Sequence, residues 1–294
     1  MRQLYNISKS IFLLGAIVGM IFYFSNFKTP QEECEHIGYK MPEQLTFCGT
    51  AVPMENNLVY ESLDRELLVN LYWQSRTIFT IKRANKYFPI IEPILDSMGI
   101  PSDFKYLAVI ESGLMNVGSP AGARGFWQFL ENTAKERGLE VSETVDERLH
   151  VYKSTVAACQ YLKKSYDHLG DWSLCAASYN MGLSGIKTVI DVQNERNYYK
   201  LHLNEETGRY VYRILATKYI FENATALGLE WQGMRKYDNP KFKQIVIDTS
   251  IADLRTFCVT NNYSYKELKA YNPWLVSTKF TPVKGKTYFI ELPQ

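Results

Sequence analysis

The sequence has few of the residues that build a metal centre. Its 294 residues include four histidines, and its five cysteines show none of the short paired spacings that zinc sites use. The Walker loop and the H-E-x-x-H and G-x-S-x-G patterns are also absent. These absences disfavour zinc hydrolysis, phosphoryl transfer and serine acyl transfer, and the sequence predicts no structural metal and no cofactor.

The chain also has little net charge of either sign. The formal net charge is +2 at pH 7, whereas nucleic-acid-binding domains usually have a basic patch and a pI above about 9. We therefore expect no nucleic-acid partner. Hydrophobic residues make up 46% of the chain, which is ordinary for a protein that builds one large core or two smaller ones.

The N-terminus carries a membrane signal. Residues 10–27 contain no charged residue, and about 18 such residues are enough to span a bilayer. The run lacks a small-residue cleavage site, and Cys34 is not preceded by a lipobox. With Arg2 and Lys9 ahead of it, the segment is predicted to be an uncleaved anchor whose downstream chain is exported. Residues 28–55 contain three prolines and read as a linker.

One predicted helix is apolar almost all round. Residues 104–110 read FKYLAVI, a pattern that is normally buried inside a domain. Gly113 follows just past this apolar run, which is the usual place for a helix to stop, so Glu111 is expected in the last helical turn. Burial and the negative end of the helix dipole both raise a carboxyl pKa, which suits a general acid. The alternative is an ordinary surface Glu111 that faces solvent or pairs with Arg124.

A loop that permits tight turns follows this helix. Its turn residues are Gly118, Pro120, Gly122 and Gly125. The loop leads into Trp127, Gln128 and Phe129, and aromatic faces beside an amide side chain are a common surface for sugar rings. The sequence therefore favours a carbohydrate site beside Glu111.

Most of the chain from residue 58 to residue 222 shows helical periodicity, with apolar residues at steps of three and four. One helix is predicted to break at Pro89, and Pro93 is predicted to open the next one. The sequence is therefore mainly α over this range.

Two of the predicted helices carry further candidate site residues. Asp171 is predicted to cap a helix that ends with Tyr179 and Asn180, where such a pair usually serves packing and capping. Asn204 is predicted to cap another helix with Glu206 in its first turn, where a carboxylate favours the positive helix end. These local roles stand beside a role in a binding cleft.

The pattern changes after residue 240. Residues 242–247 and 287–292 read as strands, and capping-box signatures at Ser250 and Ser264 predict two short helices between them. The predicted order is strand, helix, helix, strand.

Together these motifs resemble the lytic transglycosylases with a goose-type-lysozyme-like catalytic domain, closest to the membrane-bound D type. The resemblance covers roughly residues 57–229, and the C-terminal residues are similar, more weakly, to a LysM module. Ser178 stands where the family usually has Ala, and residues 130–132 replace its usual Met-Pro-containing turn. The matching residues are Glu111-Ser112, Ser119, Gly122, Ala123, Gly125, Trp127-Gln128-Phe129, Ser178-Tyr179-Asn180, Gly182, Gly185, Glu206-Thr207 and Tyr210-Val211, with Leu268, Tyr271-Asn272-Pro273 and Gly285-Lys286-Thr287-Tyr288 in the module.

The resemblance implies a mainly α fold. The predicted order is a transmembrane segment over residues 1–27, a linker over 28–55, a lysozyme-like α (α+β) catalytic domain over 56–235 and a small βααβ LysM-like module over 241–294.

The resemblance also implies a lyase that cleaves the β-1,4 bond between N-acetylmuramic acid and N-acetylglucosamine in peptidoglycan, leaving a 1,6-anhydro end. The partner would be the glycan strand, and the enzyme would be anchored in the inner membrane of the cell envelope with its catalytic domain facing the periplasm. The catalytic residue would be Glu111. The implied substrate-binding residues are Ser112, Trp127, Gln128, Tyr179, Asn180, Glu206 and Tyr210.

Two alternatives stay open on the sequence. A hydrolytic, lysozyme-like muramidase would need a second carboxylate near Glu111, and Asp103, Glu131 or Glu206 could supply it. A non-catalytic glycan-binding envelope protein would use the same cleft only to hold the strand.

Overall fold

The computed structural model of this chain describes residues 39–229, 233–238 and 241–293. Within these ranges no helix is both long enough and apolar enough to cross a membrane. The predicted anchor over residues 1–27 and the first part of the predicted linker lie outside the described residues.

The described chain up to residue 229 is mainly helical, as predicted. Short 3-10 helices lie at Ser102–Phe104, Glu147–Leu149 and Tyr198–Lys200. The other elements are β1 (Thr46–Phe47), β2 (Thr50–Ala51), α1 (Asn57–Tyr72), α2 (Gln74–Ser97), α3 (Lys105–Ser112), α4 (Glu131–Glu136), α5 (Val151–Leu169), α6 (Trp172–Met181), α7 (Leu183–Gln193) and α8 (Glu205–Glu222).

Helix α3 lies at the centre of this helical domain, as its apolar pattern predicts. It packs against α2 and α8, and Leu107 and Ala108 are fully buried. Burial of a leucine-sized side chain contributes about 1.5–3 kcal/mol. The packed core therefore fixes the place of the C-terminal end of α3, where Glu111 lies.

Helix α2 continues through Pro89 and Pro93, so the predicted break at Pro89 is wrong. Proline lacks an amide hydrogen and normally disrupts a helix. Both prolines are exposed, whereas Ile91 and Leu95 are fully buried. Carbonyl groups that lose their partners on the exposed side can be solvated, and burial of the apolar side keeps the helix continuous.

The hairpin of β1 and β2 falls inside the predicted linker but is packed on the helical domain. Phe47 is buried and meets Phe104 edge to face, with ring centroids 5.6 Å apart. The Cys48 amide donates to Asp103 at 2.7 Å, and Lys218 Nζ donates to the same carboxylate at 2.9 Å. The folded unit therefore begins before residue 56.

The C-terminal module has the predicted order of elements. Its strands pair antiparallel, with Phe242 opposite Pro293 and Ile247 opposite Tyr288. Its elements are β3 (Phe242–Ile247), α9 (Leu254–Thr260), α10 (Tyr265–Tyr271) and β4 (Tyr288–Pro293).

The module is docked on the helical domain through residues 144–150. Val145 is fully buried in the module's own apolar core and forms a β-bridge with Leu275. The Asp146 amide donates to the Trp274 carbonyl at 2.8 Å. The described residues from 40 onward consequently form one compact unit.

A cluster of charged side chains lies at this docking interface. Lys286 Nζ donates to Glu140 at 2.8 Å and to Glu147 at 2.9 Å, and the Tyr288 hydroxyl donates to Glu140 at 2.6 Å. Burial opposes ionisation of Glu147, but hydrogen bonds from Lys153, the Glu140 amide and Lys286 hold its pKa below the usual value. Both glutamates belong to the helical domain, so a lysine of the module neutralises carboxylates of its neighbour.

Candidate active site

Glu111 lies in the last turn of α3, as predicted. Gly113 ends the helix in the left-handed conformation, with φ 60°, and its amide donates to the Val109 carbonyl at 2.8 Å. The φ of 60° is one that glycine adopts without a steric penalty. The backbone turn therefore leaves the Glu111 side chain at the end of a buried helix.

The Glu111 carboxyl group is held by α8 and not by Arg124. The Tyr210 hydroxyl donates a hydrogen bond to Glu111 Oε1, and Tyr210 is fully buried. Arg124 instead faces Asp146, at 3.4 Å. The alternative pairing of Glu111 with Arg124 is therefore wrong, and the Glu111 side chain is half-buried.

The pKa of Glu111 is raised above its ordinary value. Burial is the largest cause, the hydrogen bond from Tyr210 and the charge of Arg213 act in the opposite direction, and the charge of Glu206 raises the pKa further. Burial also holds the pKa of Tyr210 well above its usual value, so its hydroxyl keeps its proton. The raised pKa shifts Glu111 towards the protonated state that a general acid needs, and Tyr210 remains a hydrogen-bond donor beside it.

Arg213 places a second group of α8 at the end of α3. Its Nη2 donates to the Ile110 carbonyl at 2.7 Å. Carbonyls at a helix C-terminus lack intrahelical partners, and a guanidinium there also offsets the negative end of the helix dipole. Sequence periodicity assigned no role to this residue, because the contact joins segments far apart in the chain.

Tyr179 and Asn180 lie at the end of α6, where the sequence places them. The Tyr179 hydroxyl donates to the Trp127 carbonyl at 2.9 Å. The Asn180 amide donates to Glu206 at 2.8 Å and accepts from Thr207 at 2.7 Å. The structure therefore brings α6, α8 and the loop after α3 together, and these side chains bind protein groups within the cleft wall.

Trp127 does not present its ring to a ligand. It is fully buried, and its indole nitrogen donates to Thr155 Oγ1 at 2.9 Å. Ser112 is also buried, with its hydroxyl directed at the carbonyls of Ala108 and Phe126. Both side chains therefore fix the loop to the core, and their part in substrate binding stays a prediction.

Gln128 stays partly exposed at the loop surface. It has a positive φ of 49°, and its amide nitrogen donates to the carbonyls of Val117 and Gly125 at 3.1 and 2.8 Å. Its amide oxygen is the remaining polar group that can meet a ligand.

A buried ion pair supports this loop, and the sequence did not reveal it. Arg148 donates to both carboxylate oxygens of Asp146 at 2.8 Å and to the carbonyls of Gly122 and Phe129 at 3.1 and 3.3 Å. Both charged residues are buried. Asp146 also accepts the Arg148 amide, as an ordinary helix cap does. This cap was the only local signal available, and it says nothing of the loop.

The three carboxylates considered as partners of Glu111 have different surroundings. Asp103 is ion-paired with Lys218, and Glu131 is exposed and paired with Lys135. Glu206 is the one of the three whose charge acts on Glu111.

Two family models and a curated relative match parts of this chain. Residues 89–202 match the family model "Transglycosylase SLT domain", and residues 243–294 match "Soluble lytic transglycosylase C-terminal LysM-like domain". The chain is 30% identical over 194 residues to membrane-bound lytic murein transglycosylase D of Escherichia coli.

These matches are partial in length. The match to the Escherichia coli relative covers 62% of this chain and 42% of the relative, so the chain spans less than half of that protein. The solved structure of an inactive mutant of the lytic transglycosylase Slt from Pseudomonas aeruginosa aligns with a TM-score of 0.37 at 17% identity, over 52% of this chain and 27% of that one. The family models and the curated relative support the resemblance read from the sequence: residues 89–202 are similar to a transglycosylase SLT domain, residues 243–294 are similar to a LysM-like C-terminal domain, and the chain is similar in sequence to membrane-bound lytic murein transglycosylase D.

Proposed function

We propose that this chain is a peptidoglycan lytic transglycosylase that cleaves the β-1,4 bond between N-acetylmuramic acid and N-acetylglucosamine without water. The observation that carries the proposal is the Glu111 carboxyl group at the C-terminal end of α3, which accepts a hydrogen bond from the fully buried Tyr210 and whose pKa burial raises. The catalytic domain would extend over residues 56–235 together with the packed hairpin before it, and the module over residues 241–294.

In the proposed reaction Glu111 acts twice. It first donates its proton to the glycosidic oxygen as the bond to the muramyl C1 breaks. The resulting carboxylate then takes the proton of the muramyl C6 hydroxyl, whose oxygen closes onto C1 to form the 1,6-anhydro ring. The Tyr210 hydrogen bond and the charge of Arg213 both favour the carboxylate form, so they stabilise Glu111 between the two proton transfers.

Hydrolysis is the second candidate, because the charge of Glu206 reaches Glu111. A hydrolase would use a second carboxylate to activate water or to form a covalent intermediate. Glu206, however, accepts a hydrogen bond from Asn180. This contact holds the carboxylate at the start of α8.

Mass spectrometry of the soluble products separates the candidates. Purified full-length protein is incubated with isolated sacculi, with Glu111→Gln as the matched inactive control. Anhydro ends support the lyase, and reducing ends heavier by one water support the hydrolase. Release of neither product by the unaltered protein would leave only a glycan-binding role.

The proposed place of action is the cell envelope, at the membrane. The curated relative is named as membrane-bound, and residues 10–27 of this chain contain no charge. The catalytic domain would face the periplasm, since Arg2 and Lys9 precede the apolar run. Cell fractionation tests this proposal: the intact chain should stay in the membrane fraction after a salt wash, and a soluble form that begins near Lys28 would refute the anchor.

A further inference from the structure

A cavity of about 260 Å³ lies at the C-terminal end of α3. Residues of α1, α2, α3 and α8 line it, and they include Ile110 and Gly113 on either side of Glu111 in the chain. Pockets for drug-sized ligands are typically about 300–1,000 Å³. The cavity is therefore of a size for a substituent of the glycan, not for a whole disaccharide.

Two of the charged residues that line this cavity form an ion pair with each other, and a third accepts a hydrogen bond from a neutral amide. Arg209 Nε binds the buried carboxylate of Glu66 at 2.6 Å, and Glu206 accepts the Asn180 amide at 2.8 Å. Glu206 keeps its negative charge, because an amide donor is neutral, and the two other arginines of the lining exceed that charge by about one unit.

Those arginines are Arg76 and Arg213. In the part of the chain that the structure describes, neither guanidinium lies within salt-bridge distance of a carboxylate. Arg213 uses one nitrogen on the Ile110 carbonyl. A guanidinium carries five N–H donors in a planar fork, so both side chains keep donors that fit a carboxylate.

Arg76 is also held in place by an aromatic side chain. Its guanidinium lies over the ring of Trp73, 5.4 Å from the centroid, and Trp73 is 56% exposed at the rim of the cavity. Stacking on an indole restricts the guanidinium while leaving its edge available for hydrogen bonds. The rim thus combines an apolar face with an oriented cation.

We propose that this cavity is a subsite for a carboxylate of the peptide carried by the muramyl residue, with Arg76 and Arg213 as its ligands and Trp73 as its apolar wall. The inference rests on the proposed function for the identity of the glycan. It adds that the chain recognises the peptide substituent and not the sugar backbone alone.

Binding measurements in a Glu111→Gln background test this inference without requiring turnover. The probes are short soluble glycan chains that carry their peptides, the same chains after amidase removal of the peptides, and peptide-bearing chains whose carboxylates are amidated. Arg76→Gln is compared with Arg65→Gln, an exposed arginine that pairs with Glu205 outside the cavity.

We expect Arg76→Gln to weaken binding of peptide-bearing chains about tenfold, the size of a lost charge-assisted hydrogen bond. The protein that keeps Arg76 should bind amidated chains about tenfold more weakly than chains with free carboxylates. Stripped chains should bind with equal affinity to the proteins with and without Arg76→Gln. Arg65→Gln should change none of these affinities. Equal effects of Arg76→Gln on peptide-bearing and stripped chains, or no effect on either, would overturn the subsite. Failure of the proposed function would appear separately, as absence of anhydro products from the unaltered protein.

Discussion

The Tyr210 hydroxyl donates a hydrogen bond to the Glu111 carboxyl group and so joins α8 to the end of α3. The donor is fully buried and belongs to a helix that packs along α3. This contact lowers the Glu111 pKa, against the larger effect of burial. Tyr210 thus positions the candidate acid and tunes its ionisation.

Replacing Tyr210 by Phe should move the alkaline limb of the pH–rate profile to higher pH. Activity that needs protonated Glu111 is lost as pH rises through the Glu111 pKa. The hydrogen bond from Tyr210 favours the carboxylate, so its removal raises that pKa. The turnover rate should fall about tenfold at its optimum, as for one hydrogen bond to a charged group. Rates are measured on sacculi between pH 4 and 9.

Tyr219→Phe is the matched control, because Tyr219 lies on the same helix and its hydroxyl reaches the Lys40 carbonyl instead. Its profile should coincide with that of the unaltered protein. A limb that moves to lower pH in Tyr210→Phe would contradict the assignment of the hydrogen bond.

Replacing Glu111 by Gln should remove nearly all turnover, because general acid catalysis alone contributes about 10² to 10⁴-fold. It should also change stability in a pH-dependent way. A carboxyl group whose folded pKa is raised stabilises the fold below its unfolded pKa, and that contribution is lost as pH rises through the folded pKa. The difference in Tm, Glu111→Gln minus unaltered protein, should therefore increase as pH rises from about 4.

Glu61→Gln serves as the control for this measurement, since Glu61 is exposed on α1. Its Tm difference should stay flat over the same pH range. A Tm difference for Glu111→Gln that is constant or decreases with pH would show that burial does not govern the Glu111 carboxyl group.

Local rules predicted the helix ends well. Gly113 ends its helix in the left-handed conformation, and Asp171, Asn204 and Ser264 cap theirs, all as the sequence indicates. Each of these features depends on a few neighbouring residues. The order of elements in the module followed from the same rules, although Asp253 caps α9 in place of Ser250.

Contacts between distant segments were not predictable in the same way. Trp127 reads as an exposed sugar platform from its neighbours in sequence, but its partner Thr155 comes from another helix. The support of the loop by Arg148 and the entry of Val145 into the module's core are likewise tertiary. A pattern that describes single elements carries no information about which elements meet.

Gly125→Ala should destabilise the loop far more than Gly122→Ala. Both glycines have a positive φ, of 81° and 84°, which costs an alanine about 1–2 kcal/mol. At Gly125 the new Cβ would also lie 2.8 Å from the carbonyl carbon of Arg148, whereas at Gly122 it meets nothing within 4 Å. The clash should add about 1–3 kcal/mol. Denaturant unfolding of the two variants measures the difference, and equal losses would show that the close approach to Arg148 is not rigid.

Lys286 joins the docked module to two carboxylates of the helical domain. Lys286→Ala should destabilise the chain, because Glu140 and the buried Glu147 lose a shared cation. Removing one partner of a buried ion pair costs about 3–5 kcal/mol, and the Lys286 side chain is 33% exposed, so we expect roughly 1–2 kcal/mol here. The free energy of unfolding is measured at pH 7.

Acid titration of the same variant identifies the cause of the loss. The pKa of Glu147 in the folded protein is below its usual value. Its contribution to the free energy of unfolding is therefore present above the unfolded pKa and disappears as pH falls through the folded pKa. The stability of the unaltered protein should therefore fall towards acid more steeply than that of Lys286→Ala, and the two curves should converge at low pH. Lys284→Ala, which removes an exposed lysine two residues away, should follow the unaltered protein throughout. A loss in Lys286→Ala that persists unchanged at low pH would mean that the lysine stem, and not its charge on Glu140 and Glu147, holds the module to the helical domain.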